Sequence, residues 1–169
     1  KEYKMTVHND MLNTTEKKQR PTVMVSGGFD PVHAGHIKLI RAAAEHGDVI
    51  VIANSDEWLF RKKGFVFMGF EARALILNAI KGVVIVDSVN DSDGTVCEAI
   101  RRHKPTYFAN GGDRGRDNTP EQHLCEELGV KLLWSIGGDK KLASSSDLVE
   151  NVRQFDTPPH RYTSKVSEK

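Results

Sequence analysis

The sequence predicts an α/β domain, a doubly wound parallel sheet of five strands with helices on both faces. Three observations predict it. Five short apolar runs alternate along the chain with stretches of helical periodicity. The run over 48–54 is continuous rather than alternating, the pattern of a strand covered on both faces. Glycine and proline stand at the joins, where the chain has to turn.

Taken in order, Thr22-Val23-Met24-Val25-Ser26 reads as the first strand and ends at Gly27-Gly28. A helix is expected from Ala34 to His46, with Ile37, Leu39, Ile40 and Ala44 as its apolar face. Residues 48–54 form the second strand, and Arg61-Lys62-Lys63-Gly64 reads as a basic loop after it. A second helix is expected over 70–80, the third strand over 83–86 and a third helix over 93–103, stopped before Pro105. Residues 106–109 supply the fourth strand, 120–128 the fourth helix, 131–134 the fifth strand and 144–155 the last helix. Strand–helix alternation of this kind implies βαβ crossovers, hence a Rossmann-like fold with its ligand at the carboxyl ends of the strands. The polar stretches 1–20 and 156–169 read as tails flanking one domain over 21–155.

Composition narrows the function classes. The 169 residues suffice to bury a core without staples. Basic and acidic residues nearly cancel, 24 against 23, so no global field points to nucleic acid or an anionic membrane. Any phosphate-binding surface must be local. Cys97 and Cys125 lie in helix-like stripes without CxxC spacing and read as reduced, semi-buried thiols. No apolar run approaches the ~18 residues of a membrane span and no signal-peptide pattern opens the chain, so the expectation is cytoplasmic. Opening on Lys1 rather than Met suggests a processed or excised segment of something longer.

The most informative stretch is Gly27-Gly28-Phe29-Asp30-Pro31-Val32-His33-Ala34-Gly35-His36. Glycines after a strand let the backbone turn tightly and approach a phosphate. His33 and His36 are three apart, so both can face one side of a helix's first turn, with Gly35 leaving space between them. The helix amino terminus adds free N–H groups and positive dipole. A glycine-rich turn with two incidental histidines, or a metal pair, is the plain alternative. Neither GxGxxG nor GxxxxGK[ST] occurs here.

These residues resemble the HxGH signature of the cytidylyltransferase-like nucleotidyltransferase superfamily, which includes glycerol-3-phosphate cytidylyltransferases and the heptose-1-phosphate adenylyltransferase branch. The resemblance runs from about Thr22 to Val152. It implies in-line displacement on the α-phosphorus of a nucleoside triphosphate, with the acceptor's phosphate as nucleophile and no covalent intermediate. By that match His33 and His36 offer hydrogen bonds or positive charge to the triphosphate, and Lys63 joins them as the lysine of a mobile loop. Gly27, Gly28, Phe29, Asp30 and Gly35 are expected on the nucleotide, Asp30 by holding the turn or orienting a basic neighbour.

Further positions follow the same resemblance. Glu71-Ala72-Arg73 matches a Glu-x-Arg, so Arg73 is a candidate for the acceptor, although a salt-bridged helix-start residue reads equally well. In Asn110-Gly111-Gly112-Asp113-Arg114, Gly111 and Asp113 are expected on base or ribose and Arg114 on the acceptor. Ser144, Ser145 and Ser146 resemble a phosphate-binding helix start, where ordinary capping would account for one of the three. The chain departs from many cytidylyltransferases before those serines, reading Gly138-Asp139-Lys140-Lys141-Leu142-Ala143 in place of Arg-Thr-Glu-Gly.

The resemblance therefore implies a nucleotidyltransferase that uses CTP or ATP, acts on a sugar or polyol phosphate, and releases pyrophosphate. The short single-domain form argues for CTP; the Gly-Gly-Asp loop and the missing arginine argue for ATP. Mg2+ is expected to arrive with the triphosphate. Nucleic acid and membrane are not expected partners; homodimers are common in the superfamily, but no patch of this sequence identifies an interface. A non-catalytic nucleotide sensor on the same fold is the alternative; intact His33, His36 and Lys63 argue against it.

Overall fold

The computed structural model describes residues 20–110, 119–138 and 144–154, and both expected tails lie outside them apart from Arg20. Eleven elements follow in the order β1 (Thr22–Gly27), α1 (Ala34–Ala44), β2 (Asp48–Ala53), α2 (Asp56–Lys63), α3 (Phe70–Asn78), β3 (Val83–Ser88), α4 (Cys97–His103), β4 (Tyr107–Ala109), α5 (Pro120–Leu128), β5 (Lys131–Leu133) and α6 (Ser145–Gln154). The five strands form one parallel sheet in the order β3-β2-β1-β4-β5.

Strand pleating sends alternate residues to opposite faces, and each face has its own core. Val23 and Val25 of β1 join Val49, Val51 and Ala53 of β2, Ile40 and Ala43 of α1, and Leu77 of α3. Met24, Ile50, Ile52 and Phe108 face the other way, onto Ala99 and Ile100 of α4 and Leu124 and Cys125 of α5. Each such aliphatic side chain contributes about 1.5–3 kcal/mol when fully buried. Central strands buried on both sides explain why β1 and β2 read as unbroken apolar runs. Both cysteines are buried and free, in the second of these cores; burial first of all raises both thiols, Cys125 to about 11.

Two elements differ from expectation. The basic stretch 61–64 is not a loop: Arg61, Lys62 and Lys63 form the last turn of α2. Ser55 caps that helix, its Oγ accepting from Trp58 N at 3.0 Å, and Gly64 ends it in the left-handed region at φ 80°. Asp56 and Glu57 at the start and three cations at the end complement the helix dipole. Conversely, α4 starts at Cys97 rather than 93, because Asp93 accepts from the N–H and hydroxyl of Thr95 and holds 91–96 as a turn.

Order 3-2-1-4-5 means that the chain leaves β1 toward β2 and returns to the other side of β1 for β4. Loops after β1 and β4 therefore diverge, opening a crevice at the carboxyl end of the sheet. Gly27-Gly28 and Asn110 stand at that point.

Candidate active site

The loop after β1 is built by close approach. A Cβ on Gly28 would stand 2.8 Å from Cδ2 of the fully buried Leu59, so only glycine lets α2 pack there. Phe29 follows with φ 52°, unusual for a bulky residue. Its buried ring meets the edge of His36 at 4.9 Å between centroids and makes an apolar wall beneath that imidazole.

His33 is the N-cap of α1, in extended backbone, and its Nδ1 accepts from Gly35 N at 3.1 Å. His36 reciprocates three residues on, its Nδ1 accepting from His33 N at 3.2 Å. The two side chains thus form a capping box of the kind that Ser and Glu usually supply. A ring nitrogen that accepts a backbone N–H carries no proton of its own, so each neutral ring bears its proton on Nε2. The rings stack at 3.7 Å, inclined by 22°. Burial, then the neighbouring His33 and Lys63, push His36 down to about 3. Of the two contributions expected, His36 in the free protein is equipped for neutral hydrogen-bond donation rather than charge.

Lys63, at the end of α2, reaches the same loop. Its Nζ donates to the main-chain oxygen of Asp30 at 2.6 Å and stands 4.0 Å from the Asp30 carboxylate. Its side chain is 16% exposed, and burial lowers its pKa against the opposing pull of Asp30. Asp30 itself is fully buried, with Oδ2 accepting from Phe67 N at 2.9 Å and Oδ1 from Met68 N at 2.6 Å. Its carboxylate ties the 64–69 loop to the β1 loop; of its expected roles, the structure supports holding the turn rather than touching a nucleotide.

Arg73 corrects the expectation that it meets the acceptor. It is fully buried, and its guanidinium donates to Met68 O, Gly28 O, Asn54 O and Asp56 Oδ1 at 3.0, 2.7, 2.9 and 2.6 Å. Four N–H groups are thereby spent on three segments around the site, at Gly28, Asn54–Asp56 and Met68. The salt-bridged reading, open at the sequence level, is the one the structure adopts.

At the other wall, Ser145 Oγ donates to Pro31 O at 3.1 Å and docks the start of α6 on the β1 loop. Ser144 Oγ accepts from Asp147 N at 3.0 Å, so this hydroxyl caps the helix, as the simpler reading had it. Two helix amino termini, of α1 and α6, consequently meet at one loop, a setting that favours anions. The Ser146 side chain, Gly111, Asp113 and Arg114 lie outside the described residues.

One residue escapes sequence reasoning. Asp91, 3% exposed, takes Asn54 Nδ2 (3.0 Å) and Ser55 N (2.8 Å) on Oδ2 and Ser55 Oγ (2.6 Å) on Oδ1. Burial pushes its pKa up, but the Ser55 and Asn54 hydrogen bonds outweigh that and leave it lowered. Nothing local marks it, because its partners Asn54 and Ser55 lie 37 and 36 positions away.

Comparison with known proteins identifies the family. A sequence profile described as cytidylyltransferase-like matches residues 24–165. The chain belongs to the cytidylyltransferase-like family. Within reach of that family, it is 36% identical over 131 residues to the bifunctional protein HldE of Gluconobacter oxydans, covering 76% of this chain and 25% of that one. The HldE of Desulfatibacillum aliphaticivorans is 29% identical, over 84% of this chain and 29% of its own length. The chain thus spans under a third of these two HldE relatives. An FAD synthase of Pyrococcus horikoshii is 37% identical over 147 residues, 79% of this chain and 93% of that protein. The crystal structure of a lipopolysaccharide core biosynthesis protein from Thermoplasma volcanium shares the fold, with TM-score 0.57 and 23% identity over 68% of this chain and 93% of that one.

Proposed function

We propose that this chain transfers a nucleotidyl group from ATP or CTP to the phosphate of a small phosphorylated acceptor and releases pyrophosphate. One observation carries the reading: the reciprocal cap in which His33 and His36 each accept a backbone N–H on Nδ1 at the start of α1, beside the loop on which the start of α6 also docks. Phosphoryl transfer needs positioning and stabilisation of charge spreading over equatorial oxygens more than it needs covalent chemistry. Imidazole N–H donors, a lysine ammonium and two helix amino termini meet that need. Neither cysteine serves as a nucleophile, since both lie in the core with raised thiol pKa values. Direct in-line displacement by the acceptor's own phosphate is therefore the fitting course, the leaving pyrophosphate collecting negative charge that Lys63 and the helix termini offset.

Resemblance to an FAD synthase favours ATP, because FAD contains an adenylyl group, and adds flavin phosphates to the sugar and polyol phosphates already expected. Among the described residues no cluster of three or more His, Cys, Asp or Glu could hold a metal ion, and Asp30 is spent on backbone. Mg2+ would arrive with the triphosphate, and its chemistry would be to neutralise phosphate charge. No described helix is long and apolar enough to cross a membrane.

The test is pyrophosphate release with Mg2+, crossing ATP, CTP, GTP and UTP against sugar, polyol and flavin phosphates. Release that requires one triphosphate and one acceptor together is the expected result. Tight triphosphate binding without release for any pair would favour a nucleotide sensor instead.

A further inference from the structure

Lys63 owes its place to α2, an eight-residue helix about 12 Å long. A small rotation of so short a helix re-aims the side chain at its end. Besides the burial of Leu59 and the Arg73–Asp56 ion pair at its start, one residue bonds to both ends of the helix, on the opposite side from the Lys63–Asp30 contact. At the first turn, the Asp91 carboxylate takes the N–H and hydroxyl of the N-cap Ser55, and the amide of Asn54 just before it. At the last turn, the main-chain oxygen of the same residue takes Arg61 NH2 at 2.9 Å, two positions before Lys63. The Arg61 guanidinium also stands 4.0 Å from the carboxylate. Asp91 therefore grips both ends of α2 from the loop after β3. Ser55 links the grip to the helix itself, since the oxygen that donates to Asp91 also accepts from Trp58 N.

We propose that Asp91 is a positioning residue, which sets the rotation of α2 and so delivers the Lys63 ammonium to the β1 loop. The proposal rests on the reading that Lys63 serves nucleotidyl transfer there, and Asp91 touches no reacting group itself. Its carboxylate takes three donors, Asn54 Nδ2 and Ser55 N on Oδ2 and the Ser55 hydroxyl on Oδ1; an amide in its place has one acceptor oxygen, so the Ser55 hydroxyl loses its acceptor and meets an N–H instead. Asp91→Asn then loosens the start of α2 while keeping the size of the side chain. Placement errors near 1 Å cost on the order of 100-fold in rate, so a fall in kcat of about 10- to 100-fold is expected, with triphosphate affinity little changed.

Two measurements distinguish positioning from plain loss of stability. The first is a double-mutant cycle with Lys63→Ala, at a temperature where every variant is folded by circular dichroism. If Asp91 acts through Lys63, Asp91→Asn lowers kcat by less than about twofold once Lys63 is absent. Independent, multiplicative losses overturn the proposal. The second needs no turnover: acetylation of Lys63 by a soluble amine reagent, followed by mass spectrometry with Lys38 and Lys131 as internal references. Release from Asp30 should raise the Lys63 rate several-fold in Asp91→Asn and to a lesser degree in Ser55→Ala, with the reference lysines unmoved. An unchanged Lys63 rate in both folded variants sinks the idea, whatever the substrate panel shows. A raised rate without any pyrophosphate release keeps the positioning role and rejects the transfer reading alone.

Discussion

His36 Nδ1 accepts the backbone N–H of His33 at 3.2 Å while His33 Nδ1 accepts that of Gly35 at 3.1 Å, so two histidines cap one helix and are held in one tautomer by it. The cap is what gives the pair a direction. With both Nδ1 atoms turned to the backbone, the proton of each neutral ring lies on Nε2, and 3.7 Å stacking keeps the two rings side by side.

If that donor acts mainly as charge builds in the transition state, His36→Ala should lower kcat by about 100- to 1000-fold. Triphosphate affinity should change much less, which equilibrium binding beside steady-state rates would show. Equal losses in the two would make His36 a contact to the bound ground state.

The burial of a neutral His36 also predicts how stability follows pH. In the unfolded chain the group titrates near 6.5, in the folded one near 3. Between those values the unfolded chain binds a proton that the folded chain does not, so stability from this group is complete above about 6.5 and declines as pH falls toward 3. Urea unfolding at pH 7.5 and 4.5 should therefore show the wild type losing more stability than His36→Gln. A difference between the two proteins that stays constant with pH would mean that the ring protonates freely in the fold.

Arg73 is expected to govern stability, not acceptor affinity. Removing its guanidinium leaves Gly28 O, Asn54 O and Met68 O without their donor and Asp56 without its ion pair. Arg73→Met should cost about 3–5 kcal/mol in urea unfolding. A variant of undiminished stability with a raised KM for the acceptor would return Arg73 to the binding site.

How much of this was legible in the chain itself depends on the range over which each residue acts. Local pattern determined the parallel α/β fold, because continuous apolar runs such as 48–53 have meaning only as strands buried on both faces. It marked the Gly27–His36 loop as the candidate site, since glycines and a histidine pair three apart carry their geometry with them. It also held an unused signal: Ser55-Asp56-Glu57 ahead of three cations and Gly64 is a helix with both ends marked. The roles of Arg73, Asp30 and Asp91 were decided elsewhere. A buried charge takes whatever partners the fold brings to it, and these partners lie 14 or more positions away in most cases: Gly28 for Arg73, Phe67 and Met68 for Asp30, Ser55 for Asp91. The same is true of Ser145, whose hydroxyl meets Pro31 across a separation of 114 residues. Sequence spacing settles what one helix turn or one strand can do; only the tertiary structure, by closing loops from separate strands over a single crevice, settles which polar groups are left for a ligand and which are consumed in holding the crevice open.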